Sequence, residues 1–384
     1  MLTTLAVANY RSLRDLVVPL GRLTLVTGAN GTGKSSLYRA LRLLADASRN
    51  GAVAALAREG GLPSTLWAGP ERPVRDGRPA QGTRRTHPVA LRLGFSGDEF
   101  GYALDFGLPV PNCSMFDLDP EIKRECLWTG PVLRPAALMV DRAAGTVRVR
   151  DDQGRWSTSH HSIGLTDSVF SELAEPELML VRERIRSWRF YDQFRTDADA
   201  PARRRQVGTR TPVLDHEGAD LAAAIQTIIE IGDQEALNDA VANAFPGSRV
   251  RVADQGGWFD LLLHQQGLLR PLGTAELSDG TLRYLLLVAA LLTPRPPELL
   301  VLNEPETSLH PDLLAPLASL VATAATRTQL VVVSHATPLM RAMAATADEL
   351  DVPTSMVELV KQGGATGVDG QGPLDGPSWR WPTR

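Results

Sequence analysis

The feature that most constrains this chain is a run of glycines set around one lysine, Gly28-Ala29-Asn30-Gly31-Thr32-Gly33-Lys34-Ser35. A turn this rich in glycine lets successive backbone N–H groups curl around an anion, provided a strand leads in and a helix leads out. Both flanks are legible. Arg22 to Thr27 reads as an apolar strand, and Leu37, Ala40, Leu41 and Leu44 share one face of a helix. In that context the G-x-x-x-x-G-K-S spacing predicts a nucleotide-phosphate loop. Lys34 is expected on the β/γ-phosphates and the Ser35 hydroxyl on Mg²⁺. The chain carries 40 basic side chains, yet lysine occurs only at 34, 123 and 361. Arginine serves elsewhere, so a compact ammonium is kept where a guanidinium would crowd a phosphate.

Composition sets the outer bounds. With 384 residues the chain can bury a sizeable core, and its 43% hydrophobic and 22% charged content is that of an ordinary globular protein. A net charge of −4 excludes a global basic field, so nucleic-acid binding would need a local patch. Cys113 and Cys126 offer neither a disulfide framework nor a zinc set. Met1-Leu2-Thr3-Thr4 lacks the charged start of a signal peptide, and the apolar run Tyr284 to Thr293 falls short of the ~20 residues that span a bilayer. A cytoplasmic protein with no membrane partner is expected.

Along the chain, Leu5 to Leu13 reads as a strand and turn. Val89, Leu91, Leu93 and Phe95 alternate, turn at Ser96-Gly97-Asp98, and alternate again through Phe106; Leu138 to Val149 repeats this around Ala144-Gly145. Residues 49 to 88, with many Gly, Pro and Arg, are expected to form a loop. Residues 165 to 245 read as helical, with Leu221, Ile225, Ile228 and Ile229 on one face behind a cap at Asp220. Strands return at Arg249 to Val252 and Trp258 to His264. Glu276-Leu277-Ser278-Asp279-Gly280-Thr281 then precedes an apolar helix. Two buried strands follow, one ending in Asn303-Glu304-Pro305-Glu306 and the other in Ser334-His335. Strands alternating with helices imply a largely parallel sheet with functional groups at the strand carboxyl ends.

These pieces, in this order, resemble the ABC-type ATPase head of the RecF/SMC group, and within it the compact RecF-like ATPases of the AAA-21 kind. Asn9-Tyr10-Arg11-Ser12 matches that family's opening turn and Gly28 to Ser35 its Walker A loop. Leu277-Ser278-Asp279-Gly280 matches its L-S-x-G signature, Glu304 to Pro311 its E-P-E-x-x-L-H-P run, and His335 its switch histidine. The resemblance is strong over the first ~45 residues and about 270 to 340, and rests on element order between them. It implies an α/β P-loop NTPase, an ABC-type head with a mixed or parallel sheet flanked by helices, plus β-hairpins and a helical second lobe. Residues 1–110 and 270–365 would form the ATPase lobe, 111–269 an inserted second lobe, and 366–384 a C-terminal tail. ATP and Mg²⁺ are the implied cofactors. Ser36 and Arg11 join residues 28–35 around the nucleotide. Glu304 is the implied base, acting with His335 and Lys34, and Ser35 and Asn303 are the metal-side residues. Ser278 and Gly280 would cap ATP on a second subunit, which implies a homodimer in the ATP state. The plainer alternative is that Ser278 only caps the helix that follows it.

Two departures matter. Asn303 stands where the family carries Asp; its amide oxygen can accept from a metal-bound water but adds no negative charge, so slow hydrolysis is expected. His310 replaces the aspartate of transporter-type D-loops, and no Q-loop glutamine can be placed. Other P-loop classes fit less well. An N-K-x-D base-reading motif is missing, sustained heptads are missing, and the stretch after His335 is too short for the Toprim nuclease domain of overcoming-lysogenization-defect proteins. Arg182 to Tyr191 interleaves cations with aromatics, and Arg203-Arg204-Arg205 follows, a mix able to grip phosphates and stack on bases. Two functions stay open: an ATP-gated clamp in DNA repair or recombination, or a regulatory ATPase whose partner is an effector protein such as a nuclease in phage defence.

Overall fold

In a computed structural model, residues 1–49, 51–70, 90–110, 114–151, 153–158, 163–372 and 375–383 are described. The chain divides into two units. One comprises Met1–Gly21, Val26–Trp188 and Met356–Arg384; the other comprises Arg22–Leu25 and Arg189–Ser355. Among the described residues no helix is long and apolar enough to cross a membrane.

In the first unit, period-two alternation produces an eight-stranded antiparallel sheet. Its order is Leu13–Pro19, Leu2–Tyr10, Leu91–Gly97, Phe100–Gly107, Glu121–Thr129, Leu138–Ala143, Thr146–Arg150 and Trp156–Thr158. Both expected hairpins form. Phe95 faces Tyr102 in the first, and Ala143 faces Thr146 in the second, closed by Ala144 at a φ of 50°. Val89 and Cys113 lie outside the described residues, as do residues 71–88 of the expected loop. The part of that loop that is described is not irregular: Ala52–Arg58 and Leu62–Thr65 are helices. Four alanines in the first of these favour helix more than the nearby glycines oppose it. Gly60 and Gly61, both at positive φ, break the chain between the two helices.

The interior of this sheet is tied by one charged knot. Glu125, fully buried, accepts from the Tyr102 hydroxyl (2.6 Å), the Ser168 hydroxyl (2.5 Å), the Val169 amide (3.0 Å) and the equally buried Arg142 guanidinium (3.2 Å). Burial, with the Glu125 charge second, pushes the Tyr102 hydroxyl well above its usual range, so it stays a donor. The C-terminal stretch belongs to the same unit. Ala365–Val368 pairs with Thr354–Gln362, and Trp379 packs beside Trp128 and Trp381 at ring separations of 5.7 and 5.2 Å. Trp379 also lies over Gly94, where any side chain would collide with its ring.

In the second unit, Arg189–Tyr191, Leu299–Asn303 and Gln329–Val333 run parallel, as apolar runs separated by helices require. The helices Asp279–Leu291, Leu314–Ala325 and Thr337–Glu349 bury leucines and alanines in one continuous core with these strands. A smaller antiparallel sheet holds Gln206–Val207, Trp258–His264, Arg249–Asp254 and Leu272–Gly273. Residues 165–245, expected to be helical, are so only in part: Gln206–Val207 is a strand, and Arg189–Tyr191 is another because it pairs into the parallel sheet, a long-range cause that local periodicity does not carry. Asp220 does precede Leu221–Ile231, but its side chain makes no cap bond. Its Oδ1 accepts instead from the Asp215 amide (2.9 Å), closing the turn before the helix. Asp233 caps the next helix through the Ala236 amide (2.8 Å).

Replacing Trp379 by Ala removes an aromatic wedge from a small cluster and is expected to cost about 2 kcal/mol. A lowered thermal midpoint together with loss of the Trp379 fluorescence contribution checks this; an unchanged midpoint would mean the tail contributes nothing to the sheet.

Candidate nucleotide-binding and hydrolytic site

The glycine loop has the geometry its spacing predicts. Leu23–Gly28 is a strand, Lys34–Ala47 is a helix, and Gly28, Gly31 and Gly33 take φ values of 146°, 77° and 108° between them. Two of these glycines also face steric limits. A Cβ at Gly28 would collide with Leu359 O, and one at Gly33 with the hydroxyls of Thr366 and Ser12. The helix starts without a side-chain cap or an acidic residue in its first turn. Its first amides and its positive dipole end are therefore offered to the loop. Lys34, almost fully buried, donates to Gly28 O (2.7 Å) and Ala29 O (3.1 Å), which curls its ammonium over the loop. Thr32 Oγ1 closes the turn on Ala29 O (2.9 Å).

The loop is braced from the far end of the sequence. Thr366 Oγ1 is hydrogen-bonded to Thr32 O (2.6 Å) and to the Ser12 hydroxyl (2.8 Å), and the Thr366 amide donates to Ser12 O (2.8 Å). Sequence reasoning missed Thr366, since nothing local marks a residue that acts across more than three hundred positions. Arg11, expected near the nucleotide, sits at a φ of 51° with its guanidinium on Glu59 (Nε 3.1 Å, Nη2 2.5 Å). Burial works against the Arg11 charge, but Glu59 more than offsets it and the group is held above its usual range.

In the second unit, the parallel register aligns the strand ends. Val333 lies beside Asn303 and Leu302 beside Tyr191, so Ser334-His335, Glu304 and Asp192-Gln193 all leave at one edge. Glu304 takes a φ of 48°, a region that side chains rarely adopt, and its amide donates to Val333 O (2.7 Å). Such strain persists where the surroundings fix it and is concentrated at functional positions. His335 Nδ1 lies 3.7 Å from Glu304 Oε1 and 3.4 Å from Glu306 Oε1. Glu306 is buried; its Oε1 accepts from Ser334 Oγ (2.6 Å) and from the His335 amide (3.3 Å). It therefore fixes the turn that presents His335. The second glutamate of E-P-E was visible in the sequence, but its role as an anchor was not.

Ser278 accepts from the Thr281 amide (3.1 Å), capping Asp279–Leu291, so the capping reading of this serine holds in the structure. Ser278, Gly280 and Thr281 line a cleft of 590 Å³ with Ser308, His310 and Phe245. Arg203, expected to grip DNA, instead ties this corner together: it donates to Thr274 O and Leu277 O (both 2.8 Å) and to Asp279 (2.8 Å). Arg205 pairs with Asp260 (2.9 Å). Trp188, Phe190 and Tyr191 are all at most 5% exposed. The aromatic half of the expected nucleic-acid patch is therefore core, because the segment that carries it is needed as a sheet strand.

Among the described residues, no group of three His, Cys, Asp or Glu side chains comes together to hold a metal unaided. The assigned residues still suit Mg²⁺. In the second unit, buried Asn303 Oδ1 makes no hydrogen bond among the described residues and is an oxygen of the kind Mg²⁺ takes; in the first, the Ser35 hydroxyl at the start of the helix is another such oxygen. An ion held by so few protein ligands takes the rest of its shell from phosphate and water.

Comparison with known proteins bears on the fold and the family. The crystal structure of an SMC head bound to the C-terminal winged-helix domain of ScpA matches with a TM-score of 0.52 at 14% identity, over 96% of this chain and 97% of that one. The SMC head with an extended coiled coil from Pyrococcus furiosus gives 0.49 at 14% identity, over 96% and 95%. The OLD nuclease of Thermus scotoductus is 48% identical over 44 residues, which is 12% of this chain and only 8% of that protein. The first of these likenesses gives the fold, that of an SMC head. A family model described as "AAA domain, putative AbiEii toxin, Type IV TA system" matches residues 23–341, and the chain belongs to that AAA-type ATPase family.

Proposed function

We propose that this chain is an ATP-gated switch: two copies close on ATP, and slow hydrolysis reopens them. The observation that carries this reading is the pair Glu304 and His335, a strained strand-end carboxylate and an imidazole 3.7 Å apart. A carboxylate so placed can orient and polarise a water for in-line attack, and the imidazole can donate to the charge that develops. Gly28 to Ser36 bind the phosphates, with Lys34 supplying the mobile positive charge. Bound Mg²⁺ would neutralise phosphate charge; Ser35 is assigned to it by the loop motif and Asn303 by its strand-end position. Gln193, exposed and two residues beyond the strand Arg189–Tyr191 that pairs with Leu299–Asn303, is assigned as the Q-loop glutamine.

The cleft at Ser278 and Gly280 supports dimeric action. It is concave, headed by a capped helix N-terminus, and suited to an anion presented from outside the subunit. ATP on a second copy is the ligand we assign to it. For the output of the switch, control of a partner protein in the cytoplasm is favoured over direct base stacking, because Trp188, Phe190 and Tyr191 are core. The 44-residue likeness to an OLD nuclease supports an effector of nuclease type. A role in DNA repair or recombination draws on the RecF resemblance and predicts ATP hydrolysis stimulated by single- or double-stranded DNA. Hydrolysis indifferent to both would remove that role.

Glu304→Gln is expected to lower kcat by about 10²–10⁴-fold while nucleotide affinity persists; equal turnover in the two proteins would sink the assignment of the base. Ser278→Arg is expected to abolish ATP-dependent dimerisation, read by light scattering with a non-hydrolysable ATP analogue, without weakening nucleotide binding to the monomer. A wild-type protein that stays monomeric at micromolar concentration with the analogue would overturn the dimer itself.

A further inference from the structure

The asparagine at 303 has a partner that changes what it can do. Its Nδ2 donates to Asp192 Oδ1 at 2.8 Å, while its Oδ1 is buried and makes no hydrogen bond among the described residues. The bond to Asp192 decides the amide's orientation, since a carboxylate accepts and cannot donate when ionised. The nitrogen must face Asp192 and the oxygen must face away from it. Asp192 reaches this place through sheet register. Arg189–Tyr191 lies parallel to Leu299–Asn303 with Tyr191 beside Leu302, which brings the next residue level with Asn303. Asp192 is exposed; on the helix behind Ser278, burial holds the Arg283 guanidinium below its usual range, opposed by Asp279 and then by Asp192. Arg283 itself is bonded to Phe194 O (2.8 Å), two residues beyond Asp192.

We propose that Asp192 and Asn303 together replace the single carboxylate of an ordinary Walker B strand: Asn303 presents the oxygen, and Asp192 fixes its orientation and supplies the negative charge. Asp192 is then a positioning residue for the metal-bound nucleotide. The proposal rests on the ATPase reading above. A neutral amide alone would leave the strand end without charge, and an unpaired amide would be free to turn its nitrogen toward the cation. The pair avoids both. It also explains why Asn is tolerated at 303, since two carboxylates at the observed 2.8 Å would repel each other.

The test is the Mg²⁺ dependence of nucleotide affinity, measured by titrating a fluorescent ATP analogue at stepped Mg²⁺ concentrations, with the thermal midpoint recorded alongside. Asp192→Asn keeps an acceptor for the Asn303 amide and removes only the charge. It is expected to raise the Mg²⁺ concentration at half-maximal affinity about tenfold, the equivalent of ~1.4 kcal/mol, with the midpoint unchanged. Asn303→Asp alone is expected to bring no gain. The exchange Asp192→Asn with Asn303→Asp is expected to restore the wild-type Mg²⁺ dependence. If Asp192→Asn leaves that dependence unchanged, or if the exchange fails to rescue a folded protein, the paired assignment is wrong while ATP binding stands. If the wild-type protein binds the analogue at no Mg²⁺ concentration, the ATPase reading fails and takes the pairing with it.

Discussion

Parallel pairing of three short strands is the constraint on which the catalytic half of this molecule depends. Hydrogen bonds in a parallel ladder fix register, and register here brings Tyr191, Asn303 and Val333 out at one edge. The polar groups of the second unit that are assigned to hydrolysis or to the metal leave the sheet within a few residues of that edge: Asp192, Asn303, Glu304 and His335. Leu299 to Leu302 and Leu330 to Val333 are continuous apolar runs because both faces of a parallel sheet are covered. Glu304 shows how strictly the edge is held. Its positive φ would relax in an isolated turn, but the bond from its amide to Val333 O ties it to the neighbouring strand. Burial of Leu299 to Leu302 and of Leu330 to Val333 stabilises the ladder that keeps this strain in place.

The phosphate loop depends on a different device. Its glycines provide the conformations, but its position is set by a hairpin that arrives at the end of the chain. Thr366 bonds the loop backbone at Thr32 and the turn at Ser12, and fills the space that only a glycine at 33 leaves open. The same C-terminal segment then lays Trp379 on the eight-stranded sheet. A stretch that reads as a Gly- and Pro-rich tail is thus part of the support for the loop.

Legibility in the sequence followed the range of the forces involved. The loop, its flanking strand and helix, the two hairpins, and the strands ending at Asn303 and His335 were all readable, because each is specified by residues within a dozen positions of one another. The errors fall where a distant partner decides. Arg189–Tyr191 resembled an exposed basic and aromatic stretch until its pairing with Leu299–Asn303 made it sheet and core. Arg203 resembled a phosphate contact but is claimed by the carbonyls before the helix at Asp279. Asp220 had the right type for a cap, yet the Asp215 amide holds its oxygen. In each case the residue type was read correctly and its partner was not.

That distinction bears most on Asn303. Taken alone, an amide at this position means a weakened metal-side contact and little more. Taken with Asp192, it means that the charge has moved one side chain outward while the donor atom has stayed in place. A charge acting through a neighbouring group attracts a cation less strongly than one in direct contact, and it is more exposed to screening by water and salt. The nucleotide complex is then easier to dissolve once the γ-phosphate has gone, because phosphate oxygens supplied much of what held the ion. Such an arrangement suits a protein whose task is to close and release rather than to turn over quickly. The segment that carries Asp192 is held to the helix capped by Ser278 through a hydrogen bond from Arg283 to Phe194 O (2.8 Å).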